Sequence, residues 1–275
     1  MEEPQDHATS LPVLQRIGEL LEAGEVALLV TAMSGPIQPG AKLLVDLHGN
    51  HTGTLGDAEL DATIVNEAAE FLDGRDDTRT IRLDQIAPTF TNASEITLLF
   101  EKLQPLLRLV ICGAGHVGAA LAKLASFVGY QITLIDDRSE FLEPDLFNGF
   151  NVEPVVTKNW QDDVAGAVGN GSGIAVAVVT RGHSEDELCL RSIAQTTPDY
   201  VGLIGSKRRT SIVIDRLRES GASEDFLSRI RAPIGLDIGA VSPEEVALAI
   251  ISEIVAERHH AAGGPLSSWR RKAHS

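Results

Sequence analysis

The glycines in the segment RLVICGAGHVG, residues 108–118, have the spacing of a loop that binds phosphate. Gly113 permits a tight turn, Gly115 lets a pyrophosphate approach the backbone, and Gly118 lets the next helix pack close to the strand. The amide groups and the dipole at the start of that helix favour a negatively charged group. The predicted binding residues of this loop are Gly113, Ala114, Gly115, His116, Val117 and Gly118.

Two carboxylates end the next predicted strand, QITLID, about twenty residues beyond the loop. Asp136 is expected to accept hydrogen bonds from the ribose hydroxyls of NAD(H), and with Asp137 it would repel the 2′-phosphate of NADP(H). Arg138 weakens this preference, because its charge can neutralise a phosphate. The alternative is a Rossmann-like fold that keeps its glycine turn for packing alone.

Further polar residues follow two other predicted strands, where ligands of open α/β sheets bind. His183 follows IAVAVVT and is the candidate acid or base, although its segment equally fits a capped helix start. Gly205 and Ser206 follow YVGLI and predict a second anion site at the start of a helix. The run 207–209, Lys-Arg-Arg, can assist there, but it also fits a solvated helix face. No catalytic constellation can be assigned.

The two cysteines, Cys112 and Cys189, lie inside apolar patterns and in no CxxC or Cys/His cluster. They are therefore expected to be small buried residues rather than nucleophiles or zinc ligands. His48 and His51 flank a predicted turn and are expected to be surface residues. The sequence predicts no metal site.

Composition excludes several classes of partner. The net charge of the 275 residues is −16, which repels nucleic acid. No apolar stretch reaches the roughly eighteen residues of a membrane span. The start MEEPQDHATS lacks the pattern of a secretory signal, so a cytoplasmic location is expected. The basic residues 270–272 lie in a tail, residues 261–275, that is predicted to be disordered and receives no function.

The elements before residue 101 predict a small α+β domain. A helix capped by Ser10 and ended by Gly24 precedes the strand VALLVTAM, and PGAKLLVDLHGNHTGTLG predicts a hairpin. A helix with its apolar face at residues 60–71 and two more extended segments follow. The predicted domain covers residues 1–100, and residues 101–107 are expected to be a linker.

From residue 108 onward, strands alternate with helices. Strands are predicted at 108–112, 131–136, 152–156, 174–180 and 200–204, and helices at 116–129, 184–195, 207–219 and 243–258. Continuous apolar strands such as IAVAVVT are typical of a parallel sheet covered on both faces. Residues 108–260 are therefore predicted to form a Rossmann-like domain with a doubly wound parallel sheet, which makes the chain an α/β protein.

The chain also carries the motifs of a known family. The matching segments are PGAKLLV (39–45), RLVICGAGHVG (108–118), ITLIDDR (132–138), VVTRGH (178–183), YVGLIGSKRR (200–209) and APIGLDIGAVSPEEVALAIISEI (232–254). In this order they resemble the XdhC/CoxI family of xanthine dehydrogenase accessory factors. The resemblance implies a homodimeric chaperone that binds molybdenum cofactor as cargo and delivers it to a molybdenum hydroxylase apoenzyme, with a sulfur donor protein as a further partner.

The chain departs from the family at one place, and two functions other than that of a chaperone remain as alternatives. Where many relatives have Gly-Gly-Cys, it reads GTLGDAELD, and Asp57 cannot supply a soft thiolate ligand. The first alternative is an NAD-dependent oxidoreductase that uses the glycine loop, Asp136 and His183 as the proton carrier. The second is a module that senses a nucleotide without turnover.

Overall fold

The computed structural model of the protein describes residues 10–74, 76–169 and 173–267. The chain divides between Leu106 and Leu107 into two units, each with its own core. Most of the expected tail, including the basic residues 270–272, lies outside the described residues. Among the helices that are described, none combines the length and apolar composition needed to cross a membrane.

The first unit contains an antiparallel sheet with a helix on each face. Its helices are α1 (Ser10–Glu22) and α2 (Ala58–Asp73), and its strands are β1 (Ala27–Ser34), β2 (Lys42–Asp46), β3 (His51–Thr54), β4 (Thr78–Arg82) and β5 (Thr97–Leu103). The strand order is β3-β2-β1-β5-β4. The predicted hairpin is confirmed as β2 and β3, which pair antiparallel on either side of the turn at 47–50.

Alternation along β1 explains why both faces of this sheet are covered. Leu28 and Val30 belong to the core cluster beneath α2, whereas Ala27 and Leu29 pack with Val13 of α1. Successive side chains of a strand point to opposite faces, so an apolar run without polar interruption requires a cover on each side. The α+β architecture expected for this part of the chain is confirmed.

The second unit contains a parallel sheet flanked by helices. Its strands are β6 (Arg108–Cys112), β7 (Gln131–Asp136), β8 (Val152–Val156), β9 (Ile174–Val178), β10 (Tyr200–Leu203) and β11 (Ile230–Arg231). Its helices are α3 (His116–Phe127), α4 (Trp160–Val168), α5 (His183–Ile193), α6 (Lys207–Glu219), α7 (Glu224–Arg229) and α8 (Pro243–Arg258). The strand order is β11-β10-β9-β6-β7-β8, and every pairing is parallel.

The same alternation builds two core layers on this sheet. Leu109 and Ile111 of β6 pack with apolar residues of α3 and α8. Val110 and Cys112 pack on the other face with residues of α4, α5, α6 and α7. Burying both faces confirms the predicted doubly wound α/β fold and explains the continuous apolar strands. The sheet places the ends of β6, β7, β9 and β10 along one edge.

The structure differs from the sequence prediction mainly at short elements. Strand β5 extends to Leu103 and β6 begins at Arg108, so the expected linker 101–107 is reduced to residues 104–107. Helices α4 and α7 were not predicted. The spacing of Trp160, Val164 and Val168, all buried, marks α4 as amphipathic, but the helix has only nine residues.

Candidate functional site

Close packing requires two glycines of the loop that follows β6. Gly113 has a φ of +112°, and a Cβ at this position would lie 2.6 Å from the carbonyl oxygen of Val179. A Cβ on Gly118 would lie 1.8 Å from the carbonyl oxygen of Gly113. Neither distance is compatible with a larger side chain. These glycines therefore allow the tight turn and the close contact between α3 and the sheet.

Gly115 has open space beside it. It is the N-cap of α3, its φ is −62°, and a Cβ there would meet no heavy atom within 4 Å apart from its chain neighbours. The first amide groups of a helix have no acceptor within the helix, and Gly115 has no side chain to cap them. His116, the first residue of α3, is exposed. The loop thus presents free donors and a positive helix end where a phosphate fits.

The carboxylate of Asp136 ties this loop to the end of β7. Its Oδ2 accepts from the amide of Ala114 at 2.6 Å and from Arg138 Nη2 at 2.9 Å. Its Oδ1 accepts from the amide of Arg138 at 3.0 Å and from Arg138 Nε at 2.9 Å. Burial alone would raise the pKa of Asp136, but the hydrogen bonds from Arg138 and from the amides of Ala114 and Arg138 lower it overall.

These contacts correct the expected role of Asp136 in binding ribose. A carboxylate offers about four acceptor positions, two on each oxygen. All four are filled from within the protein, and Asp136 is only 2% exposed. No acceptor remains for the ribose hydroxyls of NAD(H), so the residues present do not fit that cofactor in the expected way. Asp136 instead holds the glycine loop in place.

Two arginines place positive charge around the loop. The guanidinium of Arg138, besides binding Asp136, lies 4.1 Å from the centre of the Phe141 ring, which fixes its orientation. Arg181, three residues after the end of β9, places Nη2 2.8 Å from Oδ2 of Asp137. Asp137 is also 3.8 Å from Nε of Arg138. Asp137, expected to contact a cofactor, is therefore paired with arginines.

A buried ion pair joins the ends of the neighbouring elements. Asp186 of α5 is 0% exposed, and its oxygens accept from Thr180 Oγ1 and from Arg209 Nη2, both at 2.6 Å. Burial raises the pKa of Asp186 despite these hydrogen bonds. Arg209 therefore lies partly inside the structure, whereas Lys207 and Arg208 are exposed as expected for a solvated helix face.

The remaining predicted residues lie along the same edge of the sheet. His183 is the first residue of α5, and its buried Nδ1 has no hydrogen-bond partner among the described residues. Arg209 Nε shares this property. Gly205 has a φ of +147°, and Ser206 caps α6 by accepting from the amide of Arg209 at 3.3 Å. A catalytic role for His183 and anion binding at Gly205 and Ser206 stay predictions.

Sequence reasoning did not single out Thr180, Arg181 or Asp186, and it named Arg209 only as one residue of the basic run 207–209. Thr180 and Arg181 directly follow the apolar run of β9, so the rule that ligands bind beyond strand ends points to them. The pairing of Asp186 with Arg209 joins residues 23 positions apart and has no signal in a single sequence. In the sequence, Asp186 fits an ordinary position in the first turn of a capped helix, so nothing marks it as part of an ion pair.

Both cysteines are buried, as the sequence predicted. Cys112 and Cys189 are free and fully buried. The pKa of Cys189 is raised above its ordinary value, mainly by a hydrogen bond with Cys112 and to a smaller extent by burial. Both thiols are buried, and buried structural cysteines are unreactive, so neither residue is suited to nucleophilic attack. Within residues 10–74, 76–169 and 173–267, no three His, Cys, Asp or Glu side chains gather in a way that could hold a metal ion.

Asp57, which the sequence analysis singled out, caps a helix. Its Oδ1 accepts from the amide of Glu59 at 2.9 Å and from that of Leu60 at 3.0 Å, which caps α2. Asp61 in the same segment accepts from Thr54 Oγ1 at 2.6 Å and from the amide of Leu55 at 2.8 Å. These carboxylates stabilise the start of α2.

Two family models match most of the chain. The XdhC Rossmann domain matches residues 109–254, and the XdhC and CoxI family matches residues 20–84. The first match covers the glycine loop and the strand ends described above. The second covers most of the first unit, including Asp57.

Individual relatives agree with these matches. The chain is 28% identical to the uncharacterized protein YqeB of Escherichia coli over 87% of its length, and 27% identical to a probable xanthine dehydrogenase subunit of Bacillus subtilis over 60%. These alignments cover 44% and 47% of the relatives, so the chain spans less than half the length of each. It is 24% identical to the molybdenum cofactor insertion chaperone PaoD of Escherichia coli, over 93% of this chain and 90% of PaoD.

A solved structure shares the fold. The crystal structure of a xanthine dehydrogenase from Bacillus halodurans matches with a TM-score of 0.50 over 93% of this chain and 98% of that chain. The two sequences are 17% identical, so this likeness concerns the fold alone.

Proposed function

This chain belongs to the XdhC and CoxI family, and from that premise we propose that it is a maturation factor that binds molybdenum cofactor and delivers it to a molybdenum hydroxylase. The relative named as a molybdenum cofactor insertion chaperone supports this proposal, because it aligns over nine-tenths of its own length. The relative named as a probable xanthine dehydrogenase subunit supports a hydroxylase of the xanthine dehydrogenase type as the recipient. In this proposal the cofactor is cargo that is passed on to the hydroxylase, not a resident group of this protein.

The observation that carries the proposal at the level of residues is the open approach to Gly115. The pterin of molybdenum cofactor ends in a phosphate or a dinucleotide. Free amide groups at the start of α3, together with the helix dipole, suit such an anionic end. Gly115 leaves space for it, and Asp136 holds the loop in the conformation that creates this space.

The geometry supports an NAD-dependent oxidoreductase less well. That function needs an acceptor for the ribose hydroxyls at Asp136, whose acceptor positions are occupied by Ala114 and Arg138. It also needs a partner that orients His183 for proton transfer, and Nδ1 of His183 has none among the described residues. We therefore favour a protein that binds the cofactor as cargo over an oxidoreductase that turns over a substrate.

The family resemblance adds further partners to the proposal. We propose that the protein is a homodimer and that it binds the apoenzyme of a molybdenum hydroxylase. We propose further that it interacts with a sulfur donor protein that completes the molybdenum centre. Each of these partners is open to a direct test by co-purification from cells that express both proteins.

The proposal is tested by binding and transfer together. The purified protein is titrated with molybdenum cofactor, and the loaded protein is then mixed with a cofactor-free xanthine dehydrogenase whose activity is followed. We expect saturable binding and recovery of activity. Gly115→Trp fills the open space and should abolish both. Gly166→Trp is the matched control, because Gly166 is exposed on α4 and also has open space around its Cβ position.

Two results would count against this function. The first is wild-type protein that neither binds the cofactor nor restores activity to the apoenzyme. The second is equal binding and transfer by wild type, Gly115→Trp and Gly166→Trp, which would move the cargo site away from the glycine loop.

A further inference from the structure

The ion pair between Arg181 and Asp137 joins the two loops that flank the glycine loop. In the strand order, β6 lies between β7 and β9. Asp137 directly follows β7, and Arg181 comes three residues after β9. Their contact at 2.8 Å therefore connects the strands on either side of β6, at the edge of the sheet where Gly115 begins α3. A ligand phosphate that approaches Gly115 comes to the same edge.

Both arginines of this group are already paired with carboxylates of the protein. Arg138 is held by the buried carboxylate of Asp136 through three of its nitrogens. Arg181 is shared between Asp137 at 2.8 Å and Glu185 at 3.8 Å. A phosphate must therefore compete with Asp137, and at longer range with Glu185, for the guanidinium of Arg181.

This competition favours an exchange of partners. The side chains of Arg181 and Asp137 are 50% and 36% exposed, and ion pairs between exposed residues are weak. A guanidinium binds phosphate through two parallel hydrogen bonds, and each of them is strengthened by charge. Arg138 cannot make the same exchange, because its partner Asp136 is buried and fully occupied.

We propose that Asp137 is a displaceable gate: it holds Arg181 across the edge of the glycine loop until a phosphate-bearing ligand takes Arg181 as its own partner. The inference rests on the proposed function for the position of the ligand at Gly115. It adds a specificity-determining pair to that site, in which Arg181 binds the phosphate and Asp137 opposes it. Ligands with more negative charge displace the gate more readily.

Calorimetric titration with inorganic pyrophosphate tests the gate. Asp137→Asn releases Arg181 and removes a like charge, so it should bind pyrophosphate about fivefold more tightly than wild type. Arg181→Gln removes the phosphate partner and should bind about tenfold more weakly. Asp225→Asn makes the same charge change at an exposed position on α7 and should match wild type.

The double variant separates a gate from a general charge effect. If Asp137 acts through Arg181, the gain from Asp137→Asn disappears when Arg181→Gln is also present. An equal gain in both backgrounds would overturn the proposal. So would weaker binding by Asp137→Asn, which would make Asp137 a ligand contact, or the absence of pyrophosphate binding in wild type and Asp137→Asn alike.

The gate and the proposed function can fail separately. A protein that delivers molybdenum cofactor to the apo-hydroxylase, but whose Asp137→Asn variant binds pyrophosphate like wild type, keeps the function and loses the gate. A protein that binds pyrophosphate with the gated pattern and restores no hydroxylase activity keeps the gate and loses the function.

Discussion

The backbone amide of Ala114 donates to Oδ2 of Asp136 at 2.6 Å, and this bond fixes the glycine loop after β6 to the end of β7. Arg138 completes the arrangement by binding both carboxylate oxygens. The loop conformation therefore depends on a charged residue 22 positions away in sequence. Changes at Asp136 should affect the stability of the fold as well as the ligand site.

Asp136→Asn should lower the free energy of unfolding by about 2 kcal/mol, because a hydrogen bond to a charged acceptor contributes more than a neutral one and the amide cannot accept on both sides. Urea unfolding measures this loss. Asp137→Asn is the matched control, since it removes the neighbouring, exposed charge and should change stability by no more than about 0.5 kcal/mol. Equal losses in the two variants would contradict a special role for Asp136.

The same residue should give the protein a defined sensitivity to acid. The pKa of Asp136 in the folded protein lies below its ordinary value of 3.8, so its ionised form stabilises the fold above that pH. This stabilisation is lost as the pH falls through the lowered folded pKa. The difference in unfolding free energy between wild type and Asp136→Asn should be constant above about pH 5 and shrink below about pH 4. Urea titrations from pH 7 to pH 3 measure it, and a difference that stays constant throughout would refute the assignment.

Substitution by alanine should destabilise the protein at one glycine of the loop and leave its stability almost unchanged at another. Gly118→Ala places a Cβ 1.8 Å from the carbonyl oxygen of Gly113 and should destabilise the protein by about 3 kcal/mol. Gly115→Ala meets open space at an ordinary φ and should stay within about 0.5 kcal/mol of wild type. Thermal unfolding distinguishes them. A stable Gly118→Ala variant would show that the contact between α3 and the sheet is looser than described.

The buried pair of Asp186 and Arg209 should show strong coupling. Asp186→Ala leaves the partly buried guanidinium without its partner and should cost about 3 kcal/mol of unfolding free energy. Adding Arg209→Met removes the orphaned charge and should restore part of that loss. Denaturation of the two single variants and the double variant gives the coupling energy. Arg208→Met, one residue earlier and exposed, serves as the control and should have almost no effect; additive losses would exclude the coupling.

Much of this fold was predictable from local patterns. The continuous apolar run of β9 indicated a strand covered on both faces, and the spacing of Gly113, Gly115 and Gly118 indicated a strand, turn and helix. Those signals are short-range, because alternation and glycine spacing act within a few residues. Strand β11, with two residues, and α7, with six, are too short to produce such a pattern.

The arrangement within the site was harder to predict for a physical reason. Asp136 at a strand end was correctly associated with the loop, but its partner was expected to be ribose rather than Arg138 and Ala114. The sequence shows an aspartate followed two positions later by an arginine; it does not show whether the arginine turns back or faces solvent. The same applies to Arg209. Its position in a basic run suggested a solvated helix face, but its side chain binds the buried carboxylate of Asp186 and is partly buried there.

The contact between α3 and α8 sets a lower limit on the size of a functional fragment. Leu121 and Ala125 of the helix that begins at the glycine loop share a core layer with Ile250 and Ile254 of α8. A deletion that ended the chain before residue 243 would expose this apolar surface of α3 to solvent and promote aggregation. Any shortened form intended to retain the loop must therefore extend through Arg258, although α8 lies more than a hundred residues downstream of the loop that it supports.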